Sequence, residues 1–148
     1  MVQIPEMPKV AQDFFAMFAR FEFAMKRCPE FRANGDLAKA DWKAFANSKN
    51  ISPLIGKLKS DARLTELIQK PPKQFVVVKG QVVPGPQPDP CADMDSVCLA
   101  LKTARNNLFH GEKGQVVAPR EHDLLADGII ILDEMLQAEP KVLQYYYF

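Results

Sequence analysis

A single arginine on the apolar face of one helical segment constrains the fold more than any other feature of this sequence. At roughly 100° per residue, Arg105 lies within about 60° of the apolar side chains around it on the helix. Those side chains are Met94, Cys98, Leu101, Leu108 and Phe109. Burying a guanidinium without a partner costs several kcal/mol, because the group cannot be deprotonated. We therefore expect this helix to pack into a core in which Arg105 meets an anionic or hydrogen-bonding group.

Two more polar side chains lie near the end of the same helix. Asn106 and His110 are four residues apart and share one flank. Gly111 follows directly and suits the left-handed cap that ends many helices. The pattern predicts that a guanidinium, a carboxamide and an imidazole are gathered near one helix end.

The segment Arg105-Asn106-x-x-x-His110 resembles the R-x(4–6)-H signature of HEPN domains, a family of all-α domains that includes many metal-independent endoribonucleases. The polar residue that follows the arginine in that signature is Asn106 here. The resemblance covers this helix, and the rest of the chain agrees with the family in its helical pattern. It implies an all-α, up-and-down bundle of about five helices and a metal-independent endoribonuclease, such as a toxin or another defence component.

RNA cleavage without a metal requires proton removal from the 2′-hydroxyl, proton donation to the leaving 5′-oxygen, and stabilisation of charge on the phosphate. His110 suits both proton transfers, and Arg105 offers a planar fork for phosphate oxygens. Asn106 could orient His110 or hold the phosphate. Because an ideal helix separates Arg105 and His110 by about 140°, one chain is poorly arranged to act alone. The resemblance implies a symmetric homodimer in which the two motifs face each other.

The resemblance also implies partners: RNA as the substrate and, for toxins of the family, an antitoxin protein. Some HEPN toxins are regulated through a tyrosine two residues after the motif histidine. Glu112 stands at that position, so the resemblance does not extend to that regulation.

Glu22 is a candidate partner for Arg105. On the wheel of a predicted helix over residues 9–27 it lies about 80° from Phe14, at the border of the apolar stripe. Two interpretations remain open. Glu22 could form a surface ion pair with Lys26, or it could be a half-buried carboxylate that holds Arg105.

Purely structural interpretations of these residues compete with the nuclease interpretation. Arg105 could be a buried arginine with a structural role, and His110 could bond the last carbonyls of its helix. The chain would then be a non-catalytic HEPN-like module that binds a nucleotide or a protein, or a helical homodimer with an arginine at its interface.

Composition indicates one ordinary globular unit. The 148 residues suffice for a single domain over 1–148, and the net charge of +1 argues against a broad nucleic-acid surface. Three cysteines, Cys28, Cys91 and Cys98, show no metal-binding spacing, so we expect reduced thiols, no metal and no cofactor. No apolar run is long enough to span a membrane, and we expect a cytoplasmic protein without a membrane partner.

The remaining helices are predicted from apolar stripes and N-capping residues. Asp36 is expected to cap a short second helix that carries Leu37 and a core Trp42. Ser52 is expected to cap a third helix that runs to about Gln69. Asp93 or Asp95 caps the fourth helix. A fifth begins near Pro119 and is ended by Pro140, and the terminal aromatic residues 145–148 are expected to pack on the body or on another copy.

Residues 71–92 form a Pro-rich insertion. Half of the chain's 12 prolines lie there. Two β-branched runs within residues 75–83 flank Lys79-Gly80, which predicts a short hairpin or an extended arm followed by a stiff connector.

Overall fold

The computed structural model describes residues 1–3, 6–109 and 119–147, with backbone only for Phe109. The described chain is mostly helical and carries one small two-stranded sheet. Its elements are α1 (Lys9–Lys26), α2 (Trp42–Ala46), α3 (Leu54–Lys59), β1 (Phe75–Val78), β2 (Gln81–Pro84), α4 (Met94–Phe109), α5 (Pro119–Ala138) and α6 (Pro140–Tyr146). A 3-10 turn at Pro29–Phe31 precedes α2.

Helix α1 supplies the centre of the core and contacts α4, α5 and α6. Its predicted stripe of Phe14, Phe18, Phe21 and Met25 is buried, because residues at this spacing share one face. Helix α1 meets α5 at Gly128, where a Cβ atom would lie 2.6 Å from the Phe14 ring. The glycine therefore allows two long helices to pack at short distance.

The predicted cap of the second helix was wrong. The helix α2 begins after Asp41, whose carboxylate accepts the Ala44 N–H at 3.0 Å, and Asp36 lies outside it. Leu37, expected on this helix, is 71% exposed. Residues 32–40 instead form a loop closed by an isolated bridge between Arg32 and Ala40.

The predicted third helix was too long. The helix α3 spans Leu54–Lys59 with Pro53, rather than the expected Ser52, at the N-cap position. A turn follows it, in which Asp61 Oδ1 accepts the Arg63 N–H at 3.0 Å. Farther along the chain, Asp127 of α5 accepts the backbone N–H groups of residues 65–67. Those three donors are bound to a carboxylate rather than to preceding carbonyls, so the helix does not resume over them.

The strands β1 and β2 form a hairpin within the insertion, with Val76 opposite Val83. Lys79 and Gly80 connect them with φ angles of 51° and 76°. Two successive positive φ angles define the type I′ turn that matches the twist of a two-residue hairpin. The hairpin lies where the sequence pattern predicts it.

The helix α4 is capped by Asp93, whose carboxylate accepts the Ser96 N–H at 2.9 Å. The Ser96 hydroxyl accepts the Asp93 N–H in return, so the two residues satisfy each other's donors. This settles the choice between Asp93 and Asp95. No helix in residues 1–3, 6–109 or 119–147 is long and apolar enough to cross a bilayer.

The helix α5 ends at Ala138, before Pro140, as predicted, but the chain then starts a further helix, α6. Proline suits the first turn of a helix, where its missing N–H would be unpaired anyway. Tyr145 and Tyr146 of α6 pack against the core, and the guanidinium of Arg27 lies 4.6 Å from the centre of the Tyr145 ring. Tyr147, which was expected to pack with them, is 68% exposed, and Phe148 lies outside the described residues.

Candidate functional site

Arg105 of α4 points toward α1 and is partly enclosed there. Its guanidinium carbon lies 4.8 Å from the centre of the Phe18 ring, and 27% of its side chain is exposed. A cation over an aromatic face at this distance is attracted by the ring quadrupole. Phe18 therefore gives the flat face of the guanidinium a fixed support without neutralising its charge.

Glu22 lies one turn after Phe18 on α1 and carries the ion pair. Its Oε1 atom is 3.8 Å from a terminal nitrogen of Arg105, and its side chain is 22% exposed. This geometry agrees with the half-buried carboxylate rather than with a surface pair to Lys26. The separation exceeds the 2.7–2.9 Å typical of a charge-assisted hydrogen bond, so the contact is a loose ion pair.

Trp42 fixes Glu22 from the other side. The indole N–H donates to Glu22 Oε2 at 2.9 Å. The Trp42 ring stacks with Phe18 and Phe21 at centroid distances of 5.3 and 5.7 Å. A buried indole N–H needs an acceptor, and here that acceptor is the carboxylate that faces Arg105. Sequence reasoning assigned Trp42 to the core but missed this hydrogen bond.

Asn106 is joined directly to Arg105. The Arg105 Nε–H group donates to Asn106 Oδ1 at 2.9 Å, and the Asn106 side chain is exposed. The structure thus brings together Arg105, Asn106 and Glu22. His110, the third residue of the motif, lies outside the described residues.

We call the set Phe18, Glu22, Trp42, Arg105 and Asn106 the arginine cluster. Two nitrogens of the Arg105 guanidinium have described contacts: Nε with Asn106 and one terminal nitrogen with Glu22. These contacts hold the plane of the group, and its second terminal nitrogen has no partner among the residues that the structure describes. Such an arrangement can bind a phosphate or carboxylate oxygen with little loss of side-chain entropy.

We expect Glu22→Gln to lower the free energy of unfolding by about 1 kcal/mol and Glu22→Leu by about 2 kcal/mol. Gln keeps an acceptor for the Trp42 indole but loses the charge near Arg105, whereas Leu loses both. Urea unfolding of the full chain measures the difference. The matched control is Glu30→Gln, which breaks an exposed pair with Lys141 and should change stability by less than about 0.5 kcal/mol. Equal losses for Glu22→Gln and the control would place Glu22 among ordinary surface charges.

A separate cavity of about 350 Å³ lies on another flank of α4. Its walls come from the hairpin, from α4 through Asn107 and Leu108, and from the start of α5. The described lining of this cavity includes none of the five residues of the arginine cluster. The cavity and the arginine cluster are therefore two separate features that share the helix α4.

The cysteines offer no reactive thiolate. Cys28, Cys91 and Cys98 are buried and free. Burial raises the pKa of Cys91 to about 11 and that of Cys98 to about 12, so both are protonated at neutral pH. In the described part of the chain, no group of three His, Cys, Asp or Glu side chains is placed to hold a metal ion.

No family model matches this sequence, and neither the search of curated proteins nor that of solved structures returned a match.

Proposed function

We propose that this protein is a metal-independent endoribonuclease of HEPN type, built on a bundle of helices and active as a symmetric homodimer. The observation that carries the proposal is the state of Arg105. Its guanidinium is oriented by Phe18, Glu22 and Asn106, and 27% of the Arg105 side chain is exposed. A purely structural arginine in a core would be expected to exhaust its donors on close partners.

Arg105 would bind the scissile phosphate. The Glu22 carboxylate at 3.8 Å is too far to saturate the fork, yet near enough to limit the cost of keeping a cation half-buried. A phosphodiester that approaches the second terminal nitrogen of Arg105 can form charge-assisted hydrogen bonds that are shorter than the contact with Glu22. Because the plane is already fixed, the guanidinium stabilises the additional negative charge of the transition state without rearranging.

His110 would transfer protons. In the reaction the 2′-oxygen attacks phosphorus as its proton leaves to a base, and the bond to the 5′-oxygen breaks as that oxygen receives a proton. The products are a 2′,3′-cyclic phosphate and a 5′-hydroxyl. One imidazole from each subunit can serve as base and acid. Exposed Asn106, bonded to Arg105, would hold a phosphate oxygen or orient an imidazole.

The test is cleavage of labelled single-stranded RNA by the purified full chain in excess chelator. We expect fragments that end in 2′,3′-cyclic phosphate, at a rate unaffected by chelator, from a protein that sedimentation shows to be dimeric at micromolar concentration. Cleavage that requires added metal, or no cleavage of any RNA tested, would contradict the proposal. A strictly monomeric active protein would contradict the composite site alone.

A non-catalytic module that binds a nucleotide or a protein is the second candidate. The near-neutral net charge of +1 favours it, since it gives no broad attraction for RNA. The same assay separates the two functions, because a binding module would shift RNA or nucleotide in a mobility experiment without producing new ends.

A further inference from the structure

The cavity between the hairpin, α4 and α5 has the properties of a ligand site. Its volume of about 350 Å³ lies within the range of small-molecule pockets, roughly 300–1,000 Å³. One wall is apolar and is formed by Phe75 of β1, Leu108 of α4 and the buried residues Leu124 and Leu125 of α5. An apolar wall of this size can cover one face of a flat ring.

Positive charge is concentrated at the same cavity. Lys70, Lys73 and Arg120 line it, against the single acidic lining residue Glu121 among those described. The whole chain carries a net charge of only +1, so the cluster is a local feature rather than a consequence of composition. A concave site with excess positive charge attracts anions.

Arg120 is already oriented. One terminal nitrogen donates to the Lys70 carbonyl at 2.8 Å, and Nε lies 3.2 Å from a Glu66 carboxylate oxygen. Its second terminal nitrogen has no partner among residues 1–3, 6–109 and 119–147. A cation held in this way loses little conformational entropy when it binds an anion.

Two amide side chains add polar contacts. Asn107 donates from its nitrogen to the Lys73 carbonyl at 3.1 Å, and Gln87 donates to the Pro71 carbonyl at 2.7 Å. Because the nitrogens serve the backbone, each amide oxygen remains as an acceptor within the described structure. The Asn107 bond fixes Lys73 against α4, and the Gln87 bond ties Pro71 to the segment that follows β2, so the rim has a defined shape.

We propose that this cavity binds a small molecule that combines a flat apolar ring with one anionic group. The ring would lie on the wall of Phe75, Leu108 and Leu124, and the anion would face Lys70, Lys73 and Arg120. A mononucleotide phosphate and an aromatic carboxylate share this chemistry. The site is separate from the arginine cluster, because none of the five cluster residues is among its described lining, and it requires no RNA cleavage.

The test uses 8-anilinonaphthalene-1-sulfonate, a fluorescent dye with flat rings and one sulfonate, titrated into the full chain. We expect saturable binding of one dye per chain. The double variant Lys70→Gln/Lys73→Gln should weaken the affinity at least about fivefold, since it removes two of the three cations. The matched control, Lys39→Gln/Lys49→Gln, makes the same change in net charge at exposed positions elsewhere and should leave the affinity unchanged.

Competition then identifies the source of the anion. Displacement of the dye by adenosine 5′-monophosphate assigns the site to nucleotides, and displacement by 2-naphthoate assigns it to aromatic carboxylates. Equal dye affinity in the wild type and both double variants would overturn the proposal, and so would a dye displaced by neither anion. Because the readout is fluorescence, failure here leaves the nuclease assay unaffected.

Discussion

Arg105→Gln is expected to slow RNA cleavage at least about 100-fold while the protein stays folded. Removing one preorganised donor from the developing charge of a transition state typically costs about 10²- to 10³-fold in rate. Glutamine can still accept or donate one hydrogen bond near Asn106, but it carries no charge and no fork. The rate of appearance of 2′,3′-cyclic phosphate ends under single-turnover conditions measures the loss.

Arg105→Lys separates charge from geometry. Lysine keeps the positive charge and can still lie over Phe18, but it loses the planar fork and the Nε–H bond to Asn106 at 2.9 Å. If bidentate phosphate binding matters, Arg105→Lys should recover less than about a tenth of the wild-type rate. Full recovery would show that a point charge is sufficient.

The control for this series is Arg20→Gln. Arg20 is also an arginine near an aromatic ring, 5.8 Å from the centre of the Tyr146 ring, but it lies on an exposed face of α1. The Arg20→Gln variant should cut RNA at the wild-type rate.

His110→Ala should abolish cleavage and preserve the helical circular dichroism spectrum. Wild-type cleavage by either Arg105→Gln or His110→Ala would remove that residue from the mechanism.

Elements specified by neighbouring residues could be predicted from the sequence. The stripe of α1, the Asp93 cap of α4 and the Lys79-Gly80 turn each depend on side chains within a few positions of one another. The physical rules for such elements are local, so one sequence suffices. Similar local signals can still compete, as they did where Asp41 rather than Asp36 capped α2.

The arginine cluster could be predicted only in part. The helix wheel placed Glu22 at the border of the apolar stripe. It could not show whether Glu22 pairs with Lys26 or with Arg105, because the partner depends on how α1 packs against α4. The role of Trp42 had a usable signal: an indole predicted to lie in the core needs an acceptor. Glu22 was the carboxylate nearest the aromatic stripe, and the observed bond joins the two at 2.9 Å.

The end of α3 has a local signal, because Asp61 accepts the Arg63 N–H at 3.0 Å in the turn that follows the helix. The apolar residues between 64 and 68 nevertheless keep a helical spacing and lie at least partly inside. The backbone donors of residues 65–67 are instead bound by Asp127, which is 60 or more positions away in sequence. A tertiary contact of this kind overrides local propensity, and it also predicts where the fold is most sensitive to substitution.

Asp127→Ala is expected to lower the free energy of unfolding by about 3–5 kcal/mol. The carboxylate is 2% exposed, and its Oδ2 atom accepts three N–H groups, from Thr65 at 3.1 Å, Glu66 at 2.7 Å and Leu67 at 2.9 Å. Each buried donor left without a partner costs about 1–3 kcal/mol. The Leu67 donor lies in the core, whereas Thr65 is exposed and water can replace part of its bond, so the total falls below the simple sum.

Asp127→Asn should cost much less, about 1–2 kcal/mol, because the amide oxygen can occupy the same place and accept the same donors. Burial raises the pKa of Asp127 and the three N–H donors oppose that rise, so the charged group carries a desolvation cost that a neutral amide avoids. Asp133→Ala, at an exposed position of the same helix, is the control and should change stability by less than about 0.5 kcal/mol. Thermal unfolding resolves these differences, since about 1 kcal/mol corresponds to roughly 2–4 °C for a chain of this size. If Asp127→Ala proved as stable as Asp133→Ala, residues 65–67 would be held by their own turns, and their contact with Asp127 would be a consequence of the fold rather than a cause.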